Sequence, residues 1–579
     1  MGRIRLAMAT AAQRETIYRA RHEVYAHELG QHQPNASGRL VDALDDRNLY
    51  VVACRGDDLL GFVSVTPPQA GSYSIDKYFA RDDLPFEVDG LLYEVRLLTV
   101  LSPHRCGPTS ALLMLAALRL ALSQGASRIA AIGRSDLRGF YERVGLQMHG
   151  LVARSGAVTY ELMSATAERM RACLRSLDGV VRRIERVAVW DPALRDCEDG
   201  CYHGGASFDA IGDAFDDLGR AAGVVSADVL DAWFPPSPRA VEALSAHGEL
   251  LLRASPPTMC AGLVRTIAAV RSLPMACVVV GAGSSDLMFR ALRLWLDPGS
   301  RALLPEPTYG EYEHLLGRVI GCQVDRLRLG IEAGFGIEVD DLLERLTSGR
   351  YDILILVNPN NPTGRLMPRE DLRRLLELTP ASTRVWLDEA YVDYADPEAT
   401  CEQTAARLPN LVVCKSLSKA YALSGARAAY LVADADTSSQ VRRITPPWVV
   451  SLPAQAAAVA ALGDGPYYRA RWAETALLRA RLADALRDAI PRLTVCDSCA
   501  NFLLCLLPEG SPTSDLVCES CRLRNVFVRD MGDMGQGLGS AFIRVAVKDA
   551  AANARVVAAL REALAWHRAR GARPVRSWR

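Results

Sequence analysis

The residues best suited to covalent chemistry lie in one segment, residues 414–430, which reads CKSLSKAYALSGARAAY. An apolar run precedes it, so Lys419 is expected just past the end of a buried strand. A lysine in a desolvated site has a lowered pKa, and its neutral amine can form a Schiff base with an aldehyde. Ser416, Ser418 and Arg427 add hydroxyls and a guanidinium fork of the kind that binds phosphate. The segment therefore predicts a site for an aldehyde that also carries a phosphate.

That description fits pyridoxal phosphate, and the segment resembles the cofactor-lysine segment of fold-type I pyridoxal-phosphate enzymes, in the branch of histidinol-phosphate aminotransferase and threonine-phosphate decarboxylase. Segments starting at residues 277, 305, 353 and 385 carry the same resemblance and read CVVVGAGSSDLMF, PEPTYGEY, ILILVNPNNPTG and VWLDEAY. The resemblance implies cofactor contacts from the N–H groups of Ser284 and Ser285, the stacking ring of Tyr309, the 3-hydroxyl partners Asn361 and Tyr391, and Asp388 at the pyridine nitrogen.

Several of these segments place a polar residue directly after an apolar strand. The carboxyl ends of parallel strands share one edge of an open α/β sheet, so the cofactor is expected at that edge. A buried carboxylate such as Asp388 would keep the ring nitrogen protonated, and the charged ring would then accept electrons from the substrate. The resemblance also implies that Arg544 clamps a substrate carboxylate and that Arg529 helps bind a substrate phosphate. The predicted substrate is an α-amino acid or a similar anionic amine.

The resemblance breaks where the family opens this domain with a polar Asn, Glu and Asn cluster. There the chain reads SADVLDAWFPPSP from residue 226, with Asp228, Asp231 and Trp233 as candidate substrate contacts. The segment LLRASPPT, from residue 251, lacks the family tyrosine that reaches the cofactor phosphate of the partner subunit. Because both regions shape substrate choice, ordinary histidine biosynthesis is not expected. A homodimer with shared active sites is implied by the family.

The first 165 residues have a separate pattern, in the order β, α, β, β, β, α, β, α, β. YEVRLLTV from residue 93, HRCG from residue 104 and FYERVGL from residue 140 resemble the GNAT acyltransferase superfamily. In that family, backbone N–H groups at a helix start bind the pyrophosphate of the acyl donor. Arg105 and Gly107 are the candidate donor contacts, although Pro108 removes one N–H group. The predicted donor is acyl-CoA or an acyl carrier protein.

A narrower resemblance begins with RHEVYAHEL at residue 21 and continues through Asp42 and Asp45. It points to the branch of acyl-homoserine-lactone synthases and N-acyl amino acid synthases. There, the residues that match Arg21, Asp42 and Asp45 help hold the amino substrate, often S-adenosylmethionine. Glu94 and Tyr141 are the candidate base and acid, since a carboxylate accepts an ammonium proton and a phenol returns one to a thiolate. The alternative is that these are ordinary carboxylates on a surface loop.

Cysteine spacing raises metal binding as a minor alternative. The two groups are Cys197 and Cys201 with His203, and Cys496 and Cys499 with Cys518 and Cys521. The first group lacks a fourth ligand nearby. The second has zinc-ribbon spacing, but one pair opens an apolar strand and the other lies on a helix. No metal is therefore predicted.

Length and composition limit the remaining possibilities. The chain has 579 residues, too long for one ordinary core, and its 67 lysines and arginines balance 67 aspartates and glutamates. This balance offers no charge-based case for nucleic acid or an anionic membrane, so a small-molecule partner is expected. The first residues lack the apolar core of a signal peptide, and no apolar run is long enough to span a membrane. A reduced, cytoplasmic protein is predicted.

The predicted fold class is α/β throughout. A GNAT-like α/β domain spans residues 1–165, a helical linker spans 166–195, and a fold-type I transferase spans 196–579. The transferase is expected to have a large α/β domain with a mostly parallel sheet, about 270–455, and a small α+β domain from 196–269 and 456–579.

The predicted function is a bifunctional enzyme of specialised metabolism, in which pyridoxal-phosphate-dependent transamination is coupled to N-acyl transfer. An N-acylated amine cannot form a Schiff base, so acylation of the same nitrogen must follow the pyridoxal step. One alternative keeps the cofactor but predicts γ-elimination or replacement with S-adenosylmethionine, in one version onto a nucleotide-type acceptor. Another is that the first domain only binds a ligand or docks a carrier protein.

Overall fold

The computed structural model describes residues 3–56, 58–105, 107–155, 158–176, 181, 184, 187–191, 194, 204–212, 214–532, 534 and 538–571. The chain divides into two compact units, Met1–Asp199 with Arg573–Arg579 (unit 1) and Gly200–Ala572 (unit 2). Cys197, Cys201 and His203 lie outside the described residues, as does part of the predicted linker. None of the described helices combines the length and the apolar character needed to cross a membrane.

Unit 1 is built on one sheet of eight strands. These strands are β1 Ile4–Met8, β2 Leu49–Arg55, β3 Asp58–Thr66, β4 Leu92–Val100, β5 Arg128–Arg134, β6 Gln147–Ser155, β7 Val158–Thr166 and β8 Ala188–Trp190. Their order in the sheet is β6-β7-β5-β4-β3-β2-β1-β8. Neighbours run antiparallel except β4 with β5 and β1 with β8, which are parallel.

The parallel pair in the middle of this sheet opens along its length. β4 and β5 are paired only from Leu92 to Glu94, opposite Arg128 to Ala130, although both strands continue beyond that point. Within β4, Leu97 has a positive φ of 56°, and the register with β3 shifts nearby, which is the signature of a β-bulge. The sheet therefore splits next to Glu94.

The helices of unit 1 follow the predicted order, with two differences. They are Ala11–Arg21, Thr109–Ser123, Arg138–Arg143 and Ala167–Ser176, with a π-helical segment at His22–Glu28. The first difference is that the chain continues from the first helix into a π-helical turn after Arg21, a feature common near functional sites. The other difference is in the sheet, which has two strands, β6 and β7, where one was predicted, and gains β8 from the predicted linker.

Unit 2 contains two sheets. Its strands are β9 Val225–Ala227, β10 Val278–Gly281, β11 Arg301–Glu306, β12 Gln323–Arg328, β13 Ile353–Val357, β14 Arg384–Asp388, β15 Leu411–Ser416, β16 Ala429–Val432, β17 Thr494–Val495, β18 Phe502–Leu506, β19 Val526–Asp530 and β20 Phe542–Ala546. The larger sheet has the order β10-β16-β15-β14-β13-β11-β12, and β16 alone of these strands runs antiparallel to its neighbours. The smaller sheet has the order β17-β18-β20-β19-β9.

Helices cover both faces of the larger sheet, as its apolar strands require. Along β13, Leu354 and Leu356 pack in one core, and Ile353 and Ile355 pack in a second core on the opposite face. The longer helices of unit 2 are Pro238–Arg253, Ala261–Arg271, Ser284–Trp295, Val339–Gly349, Arg369–Leu378, Ala435–Arg443, Leu452–Leu462, Gly465–Ala489, Ser514–Arg522 and Ala550–Gly571. The mixed sheets and helical layers give unit 2 an α/β fold, as predicted.

Candidate functional site

Three neighbouring parallel strands of the larger sheet end in residues predicted to bind the cofactor. β13 leads into the loop that holds Asn361, β14 ends at Asp388, and β15 ends at Ser416. Lys419 follows β15 within one short helical turn, Leu417–Ala420. The hydroxyl oxygen of Ser416 accepts the N–H of Ser418 at 3.3 Å, which begins that turn. Strand topology therefore brings these residues to one edge of the sheet.

Lys419 points its amine at a carboxylate. Its Nζ donates to Asp231 Oδ1 at 3.1 Å, and the same oxygen accepts the Ser424 hydroxyl at 2.6 Å. Burial lowers the pKa of Lys419, although the charge of Asp231 opposes that shift. Burial also opposes ionisation of Asp231, but Lys419 and Ser424 outweigh it, so the pKa of Asp231 is lowered. The Lys419 side chain as a whole is 23 % exposed.

An anion cradle lies at the start of the helix Ser284–Trp295. Gly283 precedes the helix with φ of 96°, and a Cβ at that position would lie 2.6 Å from Arg427 Nη2. The N–H groups of Ser284 and Ser285 are in the first turn, where a helix presents unpaired donors. Arg427 Nη1 lies 3.5 Å from the Ser418 hydroxyl. Only glycine lets the guanidinium approach this closely, and the resulting donor set suits a phosphate.

Asp388 is buried and held by two donors. Its Oδ2 accepts the Tyr312 hydroxyl at 2.8 Å, and its Oδ1 accepts the Ala390 N–H at 3.0 Å. The Tyr312 oxygen in turn accepts the indole N–H of Trp386 at 2.7 Å. Burial raises the pKa of Asp388, while Tyr312 and Ala390 oppose that rise. The sequence analysis did not identify Tyr312, which lies three residues after Tyr309 in the same motif.

Arg544 reaches the same edge from β20. Its Nη1 donates to Asn361 Oδ1 at 2.6 Å and its Nη2 donates to the Asp228 carbonyl oxygen at 3.0 Å. Its Nε is buried and has no hydrogen-bond partner among the described residues. Burial lowers the pKa of Arg544 to about 10. Arg529 lies directly opposite Arg544 on β19 and is also buried.

The three predicted aromatic residues of unit 2, Tyr309, Tyr391 and Trp233, each make a different contact within the fold. Tyr309 precedes a short helical turn, with its ring centroid 6.0 Å from that of Tyr312. Tyr391 is buried against Phe502 at a centroid distance of 5.2 Å. Trp233 donates its indole N–H to the Thr475 hydroxyl at 2.8 Å, so its polar atom is used within the fold.

The Asp228 side chain bonds to β9 and to the chain that precedes it. It accepts the Gly205 N–H at 2.7 Å and the Ser226 hydroxyl at 3.1 Å. Its side chain is buried. These contacts give the Asp228 carboxylate a role in shaping the loop, while its carbonyl oxygen contacts Arg544.

A buried charge cluster lies behind the strand ends. Lys415 Nζ is 3.2 Å from Asp393 Oδ2 and 3.8 Å from Glu389 Oε2. Arg271 pairs with Asp393 at 3.2 Å and with Glu402 at 3.7 Å. Burial raises the pKa of Glu389 to about 7, with Lys415 opposing the shift. The cluster fixes the two residues, Glu389 and Lys415, that adjoin Asp388 and Ser416 in the chain.

In unit 1, the predicted substrate residues form one network. Arg21 is buried and donates through Nη1 to both carboxylate oxygens of Asp45 at 2.8 Å, while its Nη2 lies 3.4 Å from Asp42. The Tyr50 hydroxyl donates to Asp45 at 2.5 Å, and Arg96 forms an ion pair with Asp42. Burial opposes ionisation of Asp42, but Arg96, the Leu44 N–H and Arg21 together outweigh it, and the pKa of Asp42 is lowered. Arg96 Nε and Nη1 are buried without a hydrogen-bond partner among the described residues.

Glu94 is buried and Tyr141 is half-buried, and the two residues make different contacts. Glu94 accepts the N–H of Ser74 at 2.7 Å, the Ser74 hydroxyl, and the N–H of Ile75 at 3.0 Å. Burial raises the pKa of Glu94. Burial also raises the pKa of Tyr141 to about 12, and the ring lies against Gly133, where a Cβ would approach it to 2.5 Å. Both oxygens of Glu94 are thus bound to one loop.

The predicted acyl-donor residues lie between β4 and the helix Thr109–Ser123. Arg105 donates through Nε to the Val100 carbonyl at 3.0 Å and forms an ion pair with Glu28. Gly107 has open space around its Cα: of the described atoms, only the His104 carbonyl oxygen would lie within 4 Å of a Cβ added there. Pro108 precedes the helix and offers its first turn no side-chain hydrogen bond.

The two cysteine pairs with zinc-ribbon spacing lie in different settings in unit 2. Cys518 and Cys521 are buried on the helix Ser514–Arg522, whereas Cys496 and Cys499 are half-buried before β18. Cys499 donates its thiol to the Gly364 carbonyl at 3.2 Å. Among the described residues, no group of three or more His, Cys, Asp or Glu side chains is arranged to hold a metal ion.

A nearly parallel α/β sheet with a lysine, a carboxylate and an anion cradle at its carboxyl edge defines a cofactor-dependent transferase fold. The chain belongs to the family described as Aminotransferase class I and II, whose model matches residues 235–561. It is 32 % identical over 346 residues to histidinol-phosphate aminotransferase 2 of Burkholderia pseudomallei, a match that covers 59 % of this chain and 94 % of that protein.

Solved structures share the fold of unit 2. One is histidinol-phosphate aminotransferase from Sinorhizobium meliloti in complex with pyridoxal-5'-phosphate, with TM-score 0.51, 21 % identity, and coverage of 58 % of this chain and 90 % of that chain. Another is L-threonine-O-3-phosphate decarboxylase from Porphyromonas gingivalis, with TM-score 0.52, 24 % identity, and coverage of 58 % and 99 %.

Proposed function

We propose that unit 2 is a pyridoxal-phosphate enzyme that acts on the amino group of an α-amino acid or a related anionic amine, with transamination as the default reaction. The observation that carries this proposal is the convergence of Lys419, Asp388 and the Arg427 cradle on one sheet edge. The cradle suits the phosphate, Asp388 suits the ring nitrogen, and Lys419 suits the aldehyde. The bound cofactor would supply an electron sink for bonds at the substrate α-carbon.

The proposal assigns a task to each residue of the site. Lys419 Nζ would hold the cofactor through its aldehyde, and as a free amine it would accept the substrate α-proton and return it. Asp388, whose carboxylate is fixed by the Tyr312 hydroxyl, would hold a proton on the ring nitrogen. Arg544 binds the substrate carboxylate through its guanidinium fork, and Asn361 orients that fork. Tyr309 would stack on the cofactor ring, and Tyr391 would bind its 3-hydroxyl.

A second candidate reaction uses the same residues. γ-Elimination or replacement with S-adenosylmethionine is favoured by the Asp231 carboxylate, because a negative group beside Lys419 suits a substrate with a positive sulfonium. The acceptor in the replacement reaction would be a nucleotide-type molecule. Product analysis separates the reactions: transamination yields a keto acid, whereas γ-elimination from this donor yields methylthioadenosine.

The test is the absorption spectrum of the purified protein during titration with amino acids and S-adenosylmethionine. The wild type should show an absorption band of lysine-bound cofactor that changes with one substrate class. Lys419→Ala should lose that band, and Lys419→Arg should also lose it while keeping a cation beside Asp231. The arginine variant controls for loss of the ion pair. Wild-type protein that shows no such band after incubation with pyridoxal phosphate and removal of the unbound aldehyde would refute the proposal.

We infer that unit 1 is a GNAT-like acyltransferase, which would make the chain bifunctional. The inference is supported by the split between β4 and β5, an opening in which an acyl chain could lie, and by the cluster of Arg21, Asp42 and Asp45 beside it. Glu94 remains the candidate base and Tyr141 the candidate acid. Acyl-CoA or an acyl carrier protein would contact Arg105 and Gly107. Because an N-acylated amine cannot form a Schiff base, acylation of the same nitrogen would have to follow the reaction in unit 2.

Acyl transfer to amines by the full chain tests this inference. Tyr141→Phe should slow transfer without changing donor binding, because it removes only the phenol that protonates the leaving thiolate. Asp45→Asn should weaken binding of the amine. Binding of acyl donors with no turnover by the wild type would instead favour a docking role for unit 1.

We also propose that unit 2 forms a homodimer, as its family relationship suggests. The chain exposes large apolar side chains in and after the helix Pro238–Arg253, with Leu252 84 % exposed and Met259 57 % exposed. Trp448 donates its backbone N–H to the Thr258 carbonyl oxygen in the same segment, and its side chain is 54 % exposed. Exposed apolar surface of this kind marks a protein contact. Sedimentation equilibrium of the wild type and Leu252→Asp measures the assembly.

A further inference from the structure

A second lysine lies beside the Lys419 amine. Lys548, two residues after β20, donates through Nζ to the backbone carbonyl oxygen of Asp231 at 3.1 Å. The carboxylate of the same Asp231 accepts the Lys419 amine at 3.1 Å. Asp231 therefore joins two lysines, one through its backbone and one through its side chain. The sequence analysis assigned no role to Lys548.

The segment that presents Asp231 is attached to the fold at successive carbonyl groups. The carbonyl oxygen of Asp228 accepts Arg544 at 3.0 Å, and that of Leu230 accepts the Asn501 amide at 2.9 Å. Lys548 completes the series at Asp231. The position of the Asp231 carboxylate thus depends on three donors from the small sheet and its flanking residues.

We propose that Lys548 is a positioning residue for Lys419: it fixes Asp231 through the backbone and places a second positive charge behind the reactive amine. This inference rests on the proposed function of unit 2. A nearby cation disfavours a protonated Schiff-base lysine, whereas a nearby carboxylate favours it. Asp231 and Lys548 should therefore act on Lys419 with opposite signs.

The charges around the three residues are consistent with this assignment. Burial lowers the pKa of Lys548 to about 8, while Asp231, Asp228 and Asp549 oppose the shift. Burial also lowers the pKa of Lys419, and Arg544 and Arg427 lower it further against the effect of Asp231. Tyr391 and Tyr394 also face Asp231, and burial raises the pKa of both phenols, so they stay neutral. Substitution of Lys548 removes one positive charge near Lys419 and leaves Arg544 and Arg427 unchanged.

The experiment is a pH titration of the absorption of cofactor bound to Lys419 in the full-length protein. Lys548→Met should raise the titration midpoint by about one pH unit, because a neighbouring positive charge is lost. Asp231→Asn should lower the midpoint by a similar amount, since a negative charge is lost. Lys548→Arg should titrate like the wild type. Lys77→Met, which changes an unrelated lysine in unit 1, is the control for nonspecific charge effects.

The outcomes separate this inference from the proposed function. A wild type that binds no cofactor refutes the proposed function itself. A wild type that titrates normally, with Lys548→Met unchanged or shifted downward, refutes only the role of Lys548. If Lys548→Met does not fold, Lys548→Gln decides the matter, because it keeps a donor for the Asp231 carbonyl oxygen but removes the charge, and a midpoint that stays or falls contradicts the role of Lys548.

Discussion

Removal of the Tyr312 hydroxyl should affect both the stability of unit 2 and the state of its cofactor. In Tyr312→Phe, the indole N–H of Trp386 loses its acceptor in a fully buried position. A buried donor left without an acceptor lowers the free energy of unfolding by about 1–3 kcal/mol, and loss of the bond to the Asp388 carboxylate adds to this. We expect the free energy of unfolding to fall by about 2–4 kcal/mol. The measurement is denaturant unfolding followed by the fluorescence of the tryptophans.

The same change should reach the cofactor through Asp388. Tyr312 opposes the rise in the pKa of Asp388 that burial causes, so its loss should raise that pKa further. A less ionised carboxylate holds the ring-nitrogen proton less firmly. Loss of one hydrogen bond to a charged group, about 1.4 kcal/mol, corresponds to about tenfold in rate, so turnover should fall roughly tenfold with substrate binding little changed.

Tyr351→Phe is the matched control for this prediction. The Tyr351 hydroxyl also donates to a carboxylate at 2.8 Å, but that carboxylate, Asp325, is 38 % exposed and also paired with Arg301. Water can replace the lost donor, so this variant should lose less than about 1 kcal/mol and keep its turnover. Equal effects of the two substitutions on stability and turnover would refute the reasoning.

Two further substitutions test other parts of unit 2. Gly283→Ala should weaken cofactor affinity at least tenfold in a spectral titration, because its Cβ would displace Arg427 at a φ of 96°; Gly262→Ala, at a helical position with open space, should leave affinity unchanged. Glu389→Gln tests the buried charge cluster. The folded pKa of Glu389, about 7, exceeds its unfolded value of about 4.3, so the folded state holds an extra proton between these values. The stability of the wild type relative to this variant should therefore fall as pH rises through that window, and parallel stability curves would contradict the assignment.

The sequence by itself was sufficient for the elements that carry the chemistry in unit 2. Lys419, Asp388 and Asn361 each lie at or after the end of a short apolar run. Such runs form parallel strands, and the carboxyl ends of parallel strands lie at one edge of the sheet. This rule depends only on local patterns and strand topology. The same holds for the alternating elements of unit 1 as far as β5. The family relationship of residues 235–561 confirms the transferase prediction, while the acyltransferase prediction remains to be tested.

Only the tertiary structure revealed the residues that act on those groups. Tyr312 bonds to Asp388 across 76 positions of sequence, and Lys548 bonds to Asp231 across 317. No local pattern marks such a pair, because each side chain alone is an ordinary tyrosine or lysine. Their partners are chosen when distant strands and loops pack together. Trp233 shows the converse, since a residue singled out by its place in a motif uses its indole N–H on Thr475 in the folded chain. The chemical groups could thus be read from the sequence, while their charge states and orientation were decided by packing.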